Sequence, residues 1–252
     1  MSHNRLVTAA AIILSLAAAP VSAAPNLIVN GDFETTTMTG SNQIGYATTT
    51  TTGSSTTTNP NTITGWSNPG NGYNFLFFAN TSTANGQYGA VSLYTAANGG
   101  TGGNANLNSP TGGNFIANDG GFQTGAITQT LNGLTVGTNY LLSFYWAAGQ
   151  QTGYTGATTE AWNVSFGNST QSTGTVTTPS QGFTPWRQAT MLFGATATTQ
   201  TLAFLATGTP NGQPPFALLD GVSLVAAPEP ASWALVLVGL GGATFLARRR
   251  RT

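Results

Sequence analysis

The chain has 252 residues, 33 of them glycine and none cysteine, and its few positive and negative charges cancel. The cancellation is uneven: between Ala24 and Ala227 a single basic residue, Arg187, faces Asp32, Glu34, Asp119, Glu160 and Asp220, which leaves that stretch at −4. It therefore has no basic patch for nucleic acid, and with no lysine and no histidine beyond His3 it excludes Cys or Lys nucleophiles, Ser-His-Asp triads and His- or Cys-ligated zinc.

At the N-terminus, Arg5 precedes the apolar run Leu6–Ala19, and Val21-Ser22-Ala23 fits the small-x-small rule of a cleavage site. Residues 1–23 thus read as a signal peptide, removed by signal peptidase. About 204 residues then run from Ala24 to Ala227, enough for one large all-β domain with a sizeable core. An exported chain without cysteine must hold itself together by packing, hydrogen bonds or metal.

Asn26-Leu27-Ile28-Val29-Asn30-Gly31-Asp32-Phe33-Glu34 opens the domain with a short apolar strand and a polar turn. Physically, a generic first strand with a hairpin turn at Asn30-Gly31 reads the same way. The run also resembles the opening of galactose-binding-like β-sandwiches, the jelly rolls of many bacterial carbohydrate-binding modules. Next, the stretch near residues 35–62 is dominated by Thr35–Thr39 and Thr48–Thr58 and has little to bury, which predicts a mobile surface loop.

Short apolar runs then alternate with Gly, Asn, Pro and Thr clusters: Tyr73–Ala79, Tyr88–Tyr94, Ala126–Leu131 and Tyr140–Ala147, followed by Ala161–Phe166, Thr190–Phe193, Thr201–Ala206 and Phe216–Val225. Between them, Asn98–Asn114 is a Gly- and Asn-rich second loop. The spacing predicts an all-β domain over residues 24–227, an antiparallel β-sandwich of jelly-roll type. Alternation assigns faces: Tyr140, Leu142, Phe144 and Trp146 point one way, and Trp162, Val164 and Phe166 share one side of their strand.

The same alternation sets Phe216, Leu218, Asp220, Val222 and Leu224 on one face, which would put a carboxylate in the core. A bare carboxylate there costs several kcal/mol unless it is hydrogen-bonded, paired or bound to a cation. Its expected partners are backbone amides of the first strand, Arg187, or an oxygen-ligated metal, for which calcium is the fitting ion. Leu219-Asp220-Gly221-Val222-Ser223-Leu224 is similar to the closing strand of the carbohydrate-binding jelly rolls, which carries a second Asp where this chain has Gly221. That resemblance implies a structural calcium site with Glu34 and Asp220 as its matching ligands.

Loop-borne aromatics supply the candidate ligand-binding residues: Trp66, Tyr73, Tyr94, Tyr154 and Trp186 could stack on sugar faces, or could simply be core. Gly65-Trp66 and Pro185-Trp186 also recur in the jelly rolls as packing positions. A glycosidase would need two carboxyls about 5–10 Å apart across a cleft. No pair among the five carboxylates stands out, so no catalytic residue is assigned and the chain reads as a non-enzyme.

The C-terminus is the most specific segment. Pro228, Glu229 and Pro230 precede the uncharged run Ala231–Ala247, which meets Arg248, Arg249, Arg250 and Arg251. As a helix the run would be roughly 25 Å long, just enough to span a membrane, with the arginines held on the cytoplasmic side. A plain membrane anchor fits that pattern. Residues 228–252 further resemble the PEP-CTERM sorting signal of Gram-negative surface proteins. That implies processing by an exosortase, an inner-membrane precursor with its domain outside, a mature form at the cell surface or beyond, and an association with exopolysaccharide.

Overall fold

The computed structural model describes residues 24–52, 54–101 and 107–227. Residues 1–23, Pro228, Glu229, Pro230, the apolar run and Arg248–Arg251 lie outside the described residues. Two sheets form the body. Strands β1 (Asn42–Gln43), β4 (Asn74–Phe77), β5 (Thr83–Gly86), β6 (Gly89–Ser92), β7 (Phe115–Asp119), β9 (Asn139–Gln150), β13 (Phe183–Gly194) and β15 (Pro215–Ala226) build an eight-stranded sheet, ordered β13-β9-β15-β7-β4-β1-β5-β6. Facing it are β8 (Ile127–Asn132), β10 (Thr158–Phe166), β11 (Ser169–Ser172) and β14 (Thr199–Thr209) in the order β11-β10-β14-β8, with β12 (Val176–Thr178) also paired to β10. Pairing is antiparallel except for the short β1–β5 contact.

The side chains that alternation placed inward meet between the sheets. Tyr140, Leu142, Phe144 and Trp146 of β9 pack in one cluster with Trp162, Val164 and Phe166 of β10 and Leu202, Phe204 and Ala206 of β14. Phe204 sits among rings, 5.1 Å from Phe144, 5.9 Å from Trp162 and 6.1 Å from Trp66. Burying a ring of this kind contributes on the order of 2–3 kcal/mol. A second cluster covers the other face of the eight-stranded sheet, where Phe75, Phe77, Phe115, Ala117, Phe216 and Leu218 lie under Val91, Leu93 and Leu107. β4 and β7 are consequently buried along their whole length, and runs buried on both faces lose the alternation that advertises a strand.

Three expectations need correction. The Thr-rich stretch is not loop throughout: β2 (Ala47–Thr52) and β3 (Ser55–Pro60) pair antiparallel in register from Ala47–Pro60 to Thr52–Ser55. β-branched residues favour extended backbone even where composition suggests a loop. Nor does Asn26–Glu34 form a strand or a hairpin. It runs extended beside β15, with Leu27 N–H donating to Leu224 O (2.9 Å) and Val222 N–H to Gly31 O (2.9 Å), and turns at Asn30, whose φ is 53°.

The third correction concerns β15. A bulge between Asp220 and Ser223 breaks its alternation at Gly221, whose φ of 60° suits glycine. Ala217 and Leu219 before the bulge, and Val222 and Leu224 after it, therefore all face the inter-sheet core. Phe216 and Leu218 lie on the opposite face, and Asp220 continues that side. Asp220 is fully buried as expected, but not between the sheets.

Glu160 of β10 is a carboxylate inside the sandwich, held by the Thr158 hydroxyl and, at 2.7 Å, the Thr178 hydroxyl. Burial pushes its carboxyl from the ordinary 4.5 up to about 7, against the lowering effect of those two bonds. Between those values the folded state holds the proton more tightly than the unfolded chain does, so stability falls as pH rises through the window. We expect Glu160 alone to remove roughly 3 kcal/mol between about pH 4 and pH 8. Thermal unfolding across that range should show a falling midpoint whose slope is reduced by Glu160→Gln; a midpoint that rises steadily to pH 8 contradicts this environment.

Candidate functional site

A cavity of about 270 Å³ opens at the end of the sandwich where β7 stops and β15 starts, near the lower end of ligand-pocket sizes. Its walls come from separate turns. Asp119, the last residue of β7, accepts at Oδ1 from the N–H groups of Gly121 (2.8 Å) and Phe122 (3.0 Å). This Asx-type turn reverses the chain and leaves the Phe122 ring 43% exposed. The two-residue connection between β5 and β6 carries Tyr88 at its tip, the most exposed large ring among the described residues at 64%. Gln123 Nε2 donates to Tyr88 Oη at 2.8 Å, and Gln87 Nε2 donates to Gln123 Oε1 at 2.8 Å, which ties the two turns together.

Tyr73 forms the back of the aromatic wall. Its ring stands edge-on to Phe122 (5.4 Å, 87°) and 5.9 Å from Tyr88. Tyr154, from the β9–β10 loop, completes the wall, while Gln151, Asn211 and the β14–β15 turn close the far side. Flat rings with amide groups among them suit a polar ligand with apolar faces.

Asp119 is the one carboxylate among the lining residues and is 1% exposed. Burial pushes its carboxyl up to about 6, opposed by the Gly121 and Phe122 amides. Its second oxygen, Oδ2, is buried without a hydrogen-bond partner. Tyr73 feels the same environment: burial, then the Asp119 charge, raises its phenol.

The aromatic residues picked out by sequence divide. Tyr73 and Tyr154 come together here with Tyr88 and Phe122, which the sequence reading passed over because single rings in Gly-rich turns carry no pattern. Trp66 is core, its indole N–H donating to Asn30 O at 3.0 Å, and Trp186 packs edge-on to Phe115 and donates to Leu107 O at 3.0 Å. Tyr94 is a buried brace. Its hydroxyl donates to Tyr154 O (3.3 Å) and accepts from Gly153 N–H (3.2 Å) and Gln181 Nε2 (3.1 Å), so it shapes the loop that presents Tyr154.

Glu34 and Asp220 do approach one another, on the side of the 107–114 loop. Glu34 Oε1 accepts Asn114 N–H at 2.5 Å, and a Cβ on Gly113 would fall 1.9 Å from that oxygen. Asp220 Oδ2 accepts the hydroxyls of Ser109 and Thr111, and Oδ1 accepts Gly221 N–H at 2.6 Å. Burial raises the Asp220 carboxyl to about 6, with the Glu34 charge adding to the rise. The donors differ from those anticipated: they are loop hydroxyls and an adjacent amide, not first-strand amides, while the Arg187 guanidinium lies 5.1 Å over the Trp146 ring. Two carboxylates and two hydroxyls are the hard oxygen donors that calcium takes, though Asp220 is already satisfied without one.

Comparison with solved structures finds low-identity likenesses. TmCBM61 in complex with β-1,4-galactotriose is 13% identical, covering 81% of this chain and 99% of that one, with a TM-score of 0.38. The enzymatically active domain of tailspike protein 4 of bacteriophage CBA120 is 13% identical over 80% of this chain but 21% of its own, with a TM-score of 0.34. CBM35 from Paenibacillus barcinonensis is 17% identical over 60% of this chain and 98% of its own, with a TM-score of 0.27. Likenesses this distant assign neither ligand nor activity. No curated protein matches the chain. A PEP-CTERM protein-sorting motif matches residues 226–251, which marks the protein for export. Residues 78–224 match the family described as "protein of unknown function (DUF642)", and with more than half of its length inside that match the chain belongs to this family.

Proposed function

We propose that this is a non-enzymatic protein of the cell surface or extracellular matrix that binds a glycan, of the kind found in exopolysaccharide, through the Tyr73–Tyr88–Phe122–Tyr154 pocket. The observation that carries the reading is the convergence of four rings from four separate segments on one cavity, three of them exposed. Exposed aromatic rings are costly to keep in water and are the usual platform for a sugar face. A hydrolytic role draws no support from the geometry, because glycoside cleavage uses paired carboxyls and Asp119 is the one carboxylate among the lining residues. Glu160 is enclosed by threonine hydroxyls inside the sandwich, and Glu34 and Asp220, the two carboxylates that approach one another, are not among the lining residues of the cavity.

Binding of the purified protein to a panel of bacterial and plant polysaccharides tests this. Phe122→Ala and Tyr88→Ala should each weaken retention about tenfold, the scale of losing one contact ring, with the thermal midpoint little changed. Retention by no polysaccharide in the panel would favour a purely structural surface protein.

The proposal extends to export. Signal peptidase removes residues 1–23, the precursor sits in the inner membrane with Arg248–Arg251 in the cytoplasm, and an exosortase cuts near Pro228-Glu229-Pro230. Replacing Glu229 with Ala should leave uncleaved precursor in the inner-membrane fraction, whereas the unaltered chain should reach the surface or medium; equal processing of both contradicts the exosortase step.

A structural calcium held by Glu34 and Asp220, with the Ser109 and Thr111 hydroxyls beside it, is the remaining part of the proposal. Its support is the approach of two carboxylates under the 107–114 loop, with the Ser109 and Thr111 hydroxyls on one of them. Calcium should raise the unfolding midpoint by several degrees over chelator, and Asp220→Asn should abolish that rise. An unchanged midpoint in chelator means that the Ser109, Thr111 and Gly221 donors alone hold Asp220.

A further inference from the structure

We infer that the aromatic pocket selects a positively charged amino group, and that its ligand is a glycan containing de-N-acetylated amino sugars; the inference rests on the glycan reading above and narrows it. Three carboxylates are buried among the described residues, and comparing them isolates one. Glu160 receives a hydroxyl on each oxygen, from Thr158 and Thr178. Asp220 receives two hydroxyls on Oδ2 and an amide on Oδ1. Asp119 receives both of its amides on Oδ1, and its Oδ2 has none. The under-satisfied carboxylate is also the one that lines the pocket.

None of the pocket-lining residues is basic, and Arg187, the one cation between Ala24 and Ala227, lies over Trp146, which is not among them. The Asp119 charge is therefore uncompensated from within the pocket, and it is carried at neutral pH because burial raises the carboxyl only to about 6. Its field reaches the cavity through low-dielectric surroundings, so it attracts a cation without needing direct contact. The walls add to the same preference. Tyr73, Tyr88, Phe122 and Tyr154 present π-electron density, and aromatic faces around a carboxylate favour an ammonium group over a neutral one. A neutral sugar would use the rings and leave the carboxylate uncompensated, and an acidic sugar would be repelled by it. A sugar bearing a protonated amine uses both, with the ring faces against the carbon skeleton and the ammonium towards Asp119.

The test is titration calorimetry of the purified full-length protein at about pH 7 with glucosamine oligomers, N-acetylglucosamine oligomers and glucose oligomers of matched linkage and length. The expected result is binding of the glucosamine series at least tenfold tighter than either neutral series. Asp119→Asn, which keeps the Oδ1 acceptor for Gly121 and Phe122, should erase that gap, while Asp32→Asn, which removes an exposed charge elsewhere, should preserve it. Phe122→Ala, altering an exposed ring at a turn, should weaken binding and guards against a folding defect at Asp119. Equal binding of the neutral and amino-sugar series, still weakened by Phe122→Ala, overturns the amine assignment and leaves the glycan reading standing. A glucosamine preference that survives Asp119→Asn, or that Asp32→Asn removes equally, overturns it as general charge attraction. Binding of no series overturns the amino-sugar assignment, and the polysaccharide panel then decides the glycan reading separately.

Discussion

The fold depends on the placement of its last strand. β15 lies between β9 and β7 in the eight-stranded sheet and is buried on both faces over its first half, so neither face can be completed without it. The N-terminal segment closes on the same strand: Val222 N–H donates to Gly31 O, and a Cβ on Gly31 would lie 2.0 Å from Val222 O. Only glycine permits an approach that close. The two ends of the domain thus meet along one line, through contacts nearly 200 residues apart in the chain. Long-range pairing of this kind is slow to nucleate but hard to undo piecemeal.

That strand then positions both candidate sites, one ahead of its bulge and one at it. Before the bulge, Phe216 pairs with Asp119 and Gly120 N–H donates to Pro215 O at 2.8 Å, which fixes the turn that carries Phe122 into the pocket. After it, the strand has switched parity, so Val222 and Leu224 fill the inter-sheet core that a regular strand would have denied them. At the switch itself, Asp220 turns towards the 107–114 loop and away from the rings between the sheets. A bulge re-aims one side chain at the cost of local ladder bonds. Here the side chains re-aimed are Val222 and Leu224, while Asp220 keeps the side of Phe216 and Leu218, where the hydroxyls of Ser109 and Thr111 satisfy it.

How much of this was legible in the sequence follows from which signals are local. β9, β10 and β14 were readable because each has one face against the inter-sheet core and keeps a period of two. β7 was missed because both of its faces are covered, so Phe115-Ile116-Ala117-Asn118-Asp119 shows no alternation. Asp220 was correctly read as buried, but its face was misassigned because parity propagates an error across any bulge. The Thr-rich hairpin was hidden by composition. The pocket was half legible: Tyr73 and Tyr154 were singled out, yet nothing in sequence spacing brings residues 73, 88, 122 and 154 together, since that depends on which turns fall at the same end of the sandwich.

The pattern of hydrogen bonding at the buried carboxylates separates structural from functional burial. A buried carboxylate costs free energy in proportion to what it lacks in donors, and nearby hydroxyls or amides are the inexpensive remedy. This chain is rich in Thr, Ser and Asn, and at Glu160 and Asp220 it supplies those donors to both oxygens. At Asp119 it does not, although the residue sits beside a turn whose amides are already oriented towards it. Both of those amides converge on Oδ1, which leaves the buried Oδ2 without a donor beside a cavity walled in part by four aromatic rings. A protein that satisfies both oxygens of two such groups and one oxygen of the third has kept its least compensated described carboxylate beside a cavity that a ligand can enter.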